Sequence, residues 1–213
     1  MSSAVLVAGA VVAAILGWLY VRRRRPVPCP ASASFLLENR FMERRAGSGV
    51  LLDRAGVAEG MRVLDVGCGP GRLSIPAAGR VGPEGLVVAM DIQEAMLEKL
   101  RARAAERGIT NLRIVHADIG EGRIERDFFD RALMVTVLGE VRDRERALEE
   151  IFAELKPGGV LSITEVLPDP DYQPREKVRR LAEAAGFEEA ERFGTLFAFT
   201  INFVRPRRTG EPG

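Results

Sequence analysis

From Arg62 onward, short apolar runs alternate with stretches in which apolar side chains recur every three or four positions. The runs Arg62–Val66, Leu86–Asp91, Leu112–His116, Phe129–Thr136 and Val160–Thr164 are β-branched or aliphatic and bounded by Gly, Pro, Asn or Asp, so each predicts a strand. Between them Met96, Leu100 and Ala104 share a helical face, as do Leu148, Ile151, Phe152 and Leu155, and later Val178, Leu181, Ala182 and Ala185. Gly108 and Gly186 stand where two helices should end, and Lys156-Pro157-Gly158-Gly159 predicts a stop and turn before the fifth strand. Phe187–Phe193 and Leu196–Val204 predict two more strands, joined at Gly194-Thr195 closely enough to form an antiparallel hairpin. This alternation predicts an α/β fold, a parallel sheet with helices on both faces. No internal repeat interrupts it.

The N-terminal pattern is different. Ala4–Val21 is an unbroken apolar run of eighteen residues, which as a helix rises ~27 Å, close to the ~30 Å hydrocarbon core of a bilayer. Trp18 and Tyr20 near its end suit the headgroup level, and Arg22–Arg25 follow at once. A cleaved signal peptide carries its positive residues before the apolar run, so residues 1–25 are expected to form a retained transmembrane anchor with a basic stop. The positive-inside rule then places the rest of the chain in the cytoplasm. Gly9, Ala13 and Gly17 lie on one face of this helix and would allow a homodimer through it. Residues 26–34 hold three prolines and read as a linker, leaving 35–213 as the folded domain. Phe35–Ala46 reads as a short amphipathic helix with Leu37 and Phe41 four apart, which either packs against the domain or serves as a lid over a site or an element lying at the membrane surface. A second short helix is expected to begin at an N-cap, Ser48, and to end near Gly56.

Charge and cysteine content narrow the chemistry. The net charge of +1 is smaller than the +4 of Arg22–Arg25 alone, so the folded part is slightly acidic and no nucleic-acid partner is expected. Two cysteines, Cys29 and Cys68, and the single histidine, His116, support neither a disulfide framework nor a metal centre.

The first strand runs through Val63-Leu64-Asp65-Val66 directly into Gly67-Cys68-Gly69-Pro70-Gly71. Glycines at such a strand-to-helix turn let the chain turn sharply and let a ligand approach bare backbone. A dinucleotide fingerprint starting at Gly67 requires Gly or Ala at position 72, where Arg72 stands, and no Gly-Lys-Ser/Thr exists for a P-loop. This turn, together with Asp91-Ile92 after the second strand, Ala117-Asp118-Ile119 after the third and Leu155-Lys156-Pro157-Gly158-Gly159 before the fifth, resembles the class I S-adenosylmethionine-dependent methyltransferases over roughly residues 48–204. The resemblance implies a seven-stranded, mostly parallel Rossmann-like sheet with one antiparallel strand. It implies S-adenosyl-L-methionine as methyl donor, with Asp65, Gly67, Gly69 and Gly71 around its methionine end. It further implies that Asp91 accepts from both ribose hydroxyls, that Ile92 and Ile119 flank the adenine, and that Asp118 accepts from its amine.

The family's fold places the acceptor after the fourth strand, which makes Glu140 the first candidate for a catalytic base; His116, Glu165 and Tyr172 are further candidates. Val135-Thr136-Val137-Leu138-Gly139-Glu140 lacks the Pro-Pro-aromatic signature of exocyclic-amine methyltransferases. It also lacks the cysteine of the cytosine-C5 type, and an arsenite enzyme would use several cysteines. A lipid or other apolar small-molecule acceptor is therefore expected, such as a phospholipid headgroup amine or an isoprenoid quinone, met at a membrane. The alternatives are a soluble small-molecule or protein acceptor, or a nucleoside-binding membrane-tethered interaction module without turnover.

Overall fold

The computed structural model describes residues 47–122 and 124–207. The expected transmembrane anchor with its homodimer face, the linker and the amphipathic helix Phe35–Ala46 lie outside them. Among the described residues no helix is long and apolar enough to cross a membrane.

Among the described residues five helices and seven strands alternate as the hydrophobic pattern requires: α1 (Ser48–Arg54), β1 (Arg62–Val66), α2 (Ser74–Val81), β2 (Leu86–Asp91), α3 (Glu94–Glu106), β3 (Leu112–His116), β4 (Phe129–Val135), α4 (Arg144–Glu154), β5 (Leu155–Val166), α5 (Arg175–Ala184), β6 (Glu188–Gly194) and β7 (Ala198–Val204). The strand order is β3-β2-β1-β4-β5-β7-β6. Strands β1 to β5 pair in parallel, and β7 runs antiparallel to both β5 and β6. The chain winds outward from β1 to β3, then crosses back to β4 on the other side of β1. Helices consequently leave opposite faces at β1 and β4, and a crevice opens beyond their carboxyl ends.

Strand alternation assigns the two faces. Leu64, Val66, Ala132, Met134, Leu161 and Ile163 pack with Ala147, Leu148 and Ile151 of α4 and Val178 and Ala182 of α5. On the other face Val63, Val87 and Leu133 meet Leu51 and Leu52 of α1 and Ala77, Ala78 and Val81 of α2. Leu97 and Leu100 of α3 cover Ala89 and Cys68. A side-chain bond from Asn202 on β7 to the Arg54 carbonyl (2.6 Å) and one from Arg54 to Thr200 (3.1 Å) fasten α1 to the sheet.

Several boundaries differ from the sequence expectation. The Lys156–Gly159 segment is a bulge within β5 and not a turn ahead of it: Phe129 pairs with Leu155, and the ladder resumes at Arg131 with Val160. Gly158 supplies the left-handed residue, φ 83°, and Lys156 is tied to Asp130 at 2.6 Å, so the strand starts as soon as α4 ends. Strand β4 stops one residue early because Thr136 turns to φ 55°. Ser48 is the first residue of α1 and makes no capping bond; Gly47 holds the cap position.

Leu148 is fully buried beneath the sheet, whereas Leu196 is 65% exposed. Replacing Leu148 with Ala should lower the unfolding free energy in urea titrations by ~2–5 kcal/mol, and replacing Leu196 with Ser should change it by less than about 0.5 kcal/mol. Equal effects of the two would place the core elsewhere.

Candidate active site

The turn after β1 is held from across the sheet. The Gly67 and Cys68 amides both donate to the Met90 carbonyl of β2, at 2.8 and 3.0 Å. Gly67 is left-handed (φ 67°), and a Cβ there would lie 2.5 Å from a Val137 methyl, so glycine lets the turn after β4 close onto the turn after β1. Gly71 (φ 87°) packs its backbone beneath Leu100 of α3 in the same way. Gly69 is left-handed too, φ 53°, but a Cβ there would meet nothing within 4 Å. It is the one of the three whose open side faces space for a ligand and not a protein neighbour.

Asp65 occupies the β1 position between Leu64 and Val66, so it points to the face covered by α2. It is 3% exposed, and Ser74 at the first turn of α2 donates to its Oδ2 at 2.5 Å. Burial raises its pKa from 3.8 to about 6; Ser74 and Arg72 oppose the shift and Asp91 adds to it. Asp91, the last residue of β2, accepts the Gly69 amide on Oδ2 (2.9 Å) and the Gln93 amide on Oδ1 (2.8 Å). Burial raises its pKa as well, against the pull of those amides and His116. Cys68 between them is buried, its thiol pushed far up by burial and then by the two carboxylates, so it stays protonated and unreactive.

Ile92 follows with its side chain 42% exposed. Its carbonyl lies 2.9 Å from His116 Nε2, and His116 Nδ1 lies 3.3 Å from Glu94. Asp118 is half-buried after β3. Ile119 is 8% exposed, as is Asp91, and packs with the core beneath α4. His116 sits on the β2 side of the site, away from the β1–β4 crevice where an acceptor is expected.

On the crevice side the turn after β4 and the loop after β5 interlock. A Cβ on Gly139 would overlap the Asp171 carbonyl. Arg144 holds that turn by donating to the carbonyls of Leu138 (2.8 Å) and Gly139 (2.7 Å). Thr136, left-handed and β-branched, is the strained residue here, and its amide donates to Thr164 of β5 at 2.8 Å. No composition or spacing signal marked it, since Thr is an ordinary strand residue. Glu140 is half-buried in this turn. Glu165 is 1% exposed, its pKa raised to about 8 chiefly by burial, with Oε2 accepting the Gln173 amide at 3.1 Å. Tyr172 donates its hydroxyl to the Leu196 carbonyl. Both therefore act as fasteners of the loop after β5 and not as exposed bases.

The site fits a nucleoside-bearing donor on its own geometry. Asp91 keeps acceptor capacity on both oxygens beyond its amide bonds, Gly69 leaves open backbone, and Ile92 offers an exposed apolar face beside them. A cavity of about 440 Å³ lined by Arg126, Phe152, Pro157 and Arg205 lies at the opposite end of the strands, remote from these residues.

Residues 58–195 match the family model described as a methyltransferase domain. The chain is 41% identical over 115 residues to the ubiquinone/menaquinone biosynthesis C-methyltransferase of Idiomarina loihiensis, a stretch covering 54% of this chain and 46% of the relative. It is 34% identical over 148 residues to the protein of the same name from Vibrio parahaemolyticus, covering 69% and 56%. The chain thus spans about half the length of the curated relatives it matches. Among solved structures, an S-adenosylmethionine-dependent methyltransferase from Aquifex aeolicus superposes with a TM-score of 0.76 at 23% identity, covering 83% of this chain and 98% of that one, a likeness of fold. With the glycine turn, the paired carboxylates and the sheet order in place, the chain belongs to the methyltransferase domain family, that of the class I S-adenosylmethionine-dependent methyltransferases.

Proposed function

We propose that this protein transfers the methyl group of S-adenosylmethionine to a ring carbon of an isoprenoid quinone precursor, a lipid-soluble acceptor. The observation that carries the reading is its 41% identity to a protein named as a C-methyltransferase of ubiquinone/menaquinone biosynthesis, within a stretch of 115 residues. When bound, the donor supplies a methyl group on a positively charged sulfur, ready for in-line attack by the acceptor.

The chain's own residues then have separable tasks. Asp91 accepts from the ribose hydroxyls while its amide bonds to Gly69 and Gln93 fix its plane. Asp118 accepts from the adenine amine, and Ile92 covers one adenine face. Asp65 sets a carboxylate near the positively charged end, and Gly67, Gly69 and Gly71 let backbone come close. Glu140, in the turn after β4, takes the proton that the ring carbon loses after the new bond forms. In this reading residues 1–25 anchor the protein in the membrane with the domain on the cytoplasmic side, where the acceptor is met in two dimensions.

The electrostatics give a sign for pH. With its folded pKa raised from 3.8 to about 6, Asp65 favours folding fully below pH ~4 and loses that contribution as pH rises through about 6. Donor binding runs the other way, because only the ionised carboxylate attracts the sulfonium. Affinity for S-adenosylmethionine should climb between pH ~5 and ~7, and Asp65→Asn should flatten that climb. A pH profile unchanged by Asp65→Asn would remove Asp65 from the donor site.

Asp91→Ala should weaken S-adenosylhomocysteine binding at least about tenfold in calorimetric titration, since charge-assisted hydrogen bonds contribute roughly 1.5–3 kcal/mol each. Unchanged affinity in the folded variant would reject the assignment. The acceptor is tested by incubating the full chain with labelled donor and membranes lacking endogenous quinone C-methylation. Label should enter a lipid-extractable quinone, and label found only in soluble or protein fractions would reject the reading.

A further inference from the structure

At the turn joining β6 to β7, Leu196 and Phe197 leave 65% and 66% of their surface exposed, and Leu167 beside them leaves 39%. Most of the polar backbone of this apolar tip is nevertheless engaged. The Thr195 amide donates to the Ala198 carbonyl (2.8 Å), the Phe197 amide to Thr195 Oγ1 (3.2 Å) and the Leu167 amide to the Phe197 carbonyl (2.8 Å). The Leu196 carbonyl accepts from the Tyr172 hydroxyl. An unpaired amide or carbonyl is costly in an apolar medium, whereas a paired one is not. Protruding apolar side chains over a largely paired backbone are therefore suited to the headgroup–acyl boundary, where the remaining polar groups keep water or headgroup partners.

The tip's place in the fold matters as much as its chemistry. Val166, the last residue of β5, pairs with Ala198, and Gly194 pairs with Phe199, so the tip stands at the carboxyl ends of the parallel strands. Asp91 and the glycine turn lie at that same end. The carboxyl end of α1 bonds to Asn202 of β7, and the Ala55 carbonyl that follows bonds to Arg131 of β4. The residues ahead of α1, including the apolar run Ala4–Val21 and Arg22–Arg25, thus lead into a helix fastened to β7, the strand that follows the tip.

We propose that the Leu167–Leu196–Phe197 tip inserts into the headgroup–acyl boundary of a lipid bilayer and presents the carboxyl ends of the strands to it. The inference rests on the reading of the acceptor as lipid-soluble and adds the surface by which the domain meets it. A second copy suits the tip less well. Three side chains meeting three others fall far short of the roughly 1,200 Å² that a stable interface buries, and the tip protrudes without a groove to receive a partner.

The test places a reporter at the tip of the full chain. Trp18 is the only tryptophan, so Phe197→Trp in a Trp18→Phe background gives one emitter, reconstituted in vesicles of phosphatidylethanolamine and phosphatidylglycerol. Insertion predicts quenching by lipids spin-labelled near the headgroup together with protection from aqueous iodide. Quenching by iodide alone would show a tip in water, and protection from both would show it covered by protein, either the Phe35–Ala46 segment or a second copy. Both results overturn the proposal. Leu196→Ser with Phe197→Ser should lower turnover of vesicle-borne acceptor about tenfold and leave turnover of a dispersed short-chain acceptor unchanged. Loss of both activities would assign the tip to the fold. The fluorescence readout needs no turnover, so the docking surface and the acceptor reading fail separately.

Discussion

Two backbone amides, those of Gly67 and Cys68, converge on one carbonyl, that of Met90. This bifurcated hold bends the chain back over β2 as soon as β1 ends, and most of the site's geometry depends on it. It brings Gly69 within hydrogen-bonding range of Asp91, and it leaves the following residues to start α2 with Ser74 beneath Asp65. The bend requires left-handed backbone at Gly67, Gly69 and Gly71 within five residues. Side chains at two of these would also collide, with Val137 from one flank and Leu100 from the other. The glycines therefore have two reasons: Gly67 and Gly71 are needed for packing and Gly69 for access.

The same bend concentrates negative charge. Asp65 and Asp91 are both buried, and each adds to the cost, set chiefly by burial, of ionising the Cys68 thiol between them. Ser74 and the amides of Gly69 and Gln93 offset only part of that cost. A site that holds two carboxylates short of full compensation gains when a cation arrives, because the ligand then supplies the missing partner in a poorly solvated setting. Such a balance suits a sulfonium donor better than a phosphate-bearing one, which two acidic side chains would repel.

Where local rules act alone, the sequence is a faithful guide. β1, β2 and β3 have the expected ends, because each is a short apolar run cut off by glycine, proline or an acidic residue, and the glycine turn and Asp91 follow from them. Divergence appears where tertiary contacts override a local signal. Pro157-Gly158-Gly159 reads as a turn, yet pairing of Leu155 with Phe129 draws these residues into β5 as a bulge. Glu165 and Tyr172 read as loop-edge acids and phenols; only their partners, the Gln173 amide and the Leu196 carbonyl, show them to be fasteners. Thr136 carries strain that arises from closure of the crevice and leaves no trace in composition.

Those fasteners tie the loop after β5 into the wall of the crevice. The loop after β5 is held at its base by Glu165, at its middle by the close approach of Asp171 to Gly139, and at its far side by Tyr172 reaching the β6–β7 turn. Each contact belongs to a different element, so the turn after β4, the loop after β5 and the hairpin are tied to one another. Glu165 is central to this arrangement because its raised pKa keeps it neutral near pH 7, and a neutral carboxyl can remain buried with one oxygen unpartnered at far lower cost than a carboxylate. The interlocked side of the crevice thus faces a side of bare, left-handed backbone, and holding reacting groups in fixed relative positions is what transfer between two bound molecules needs.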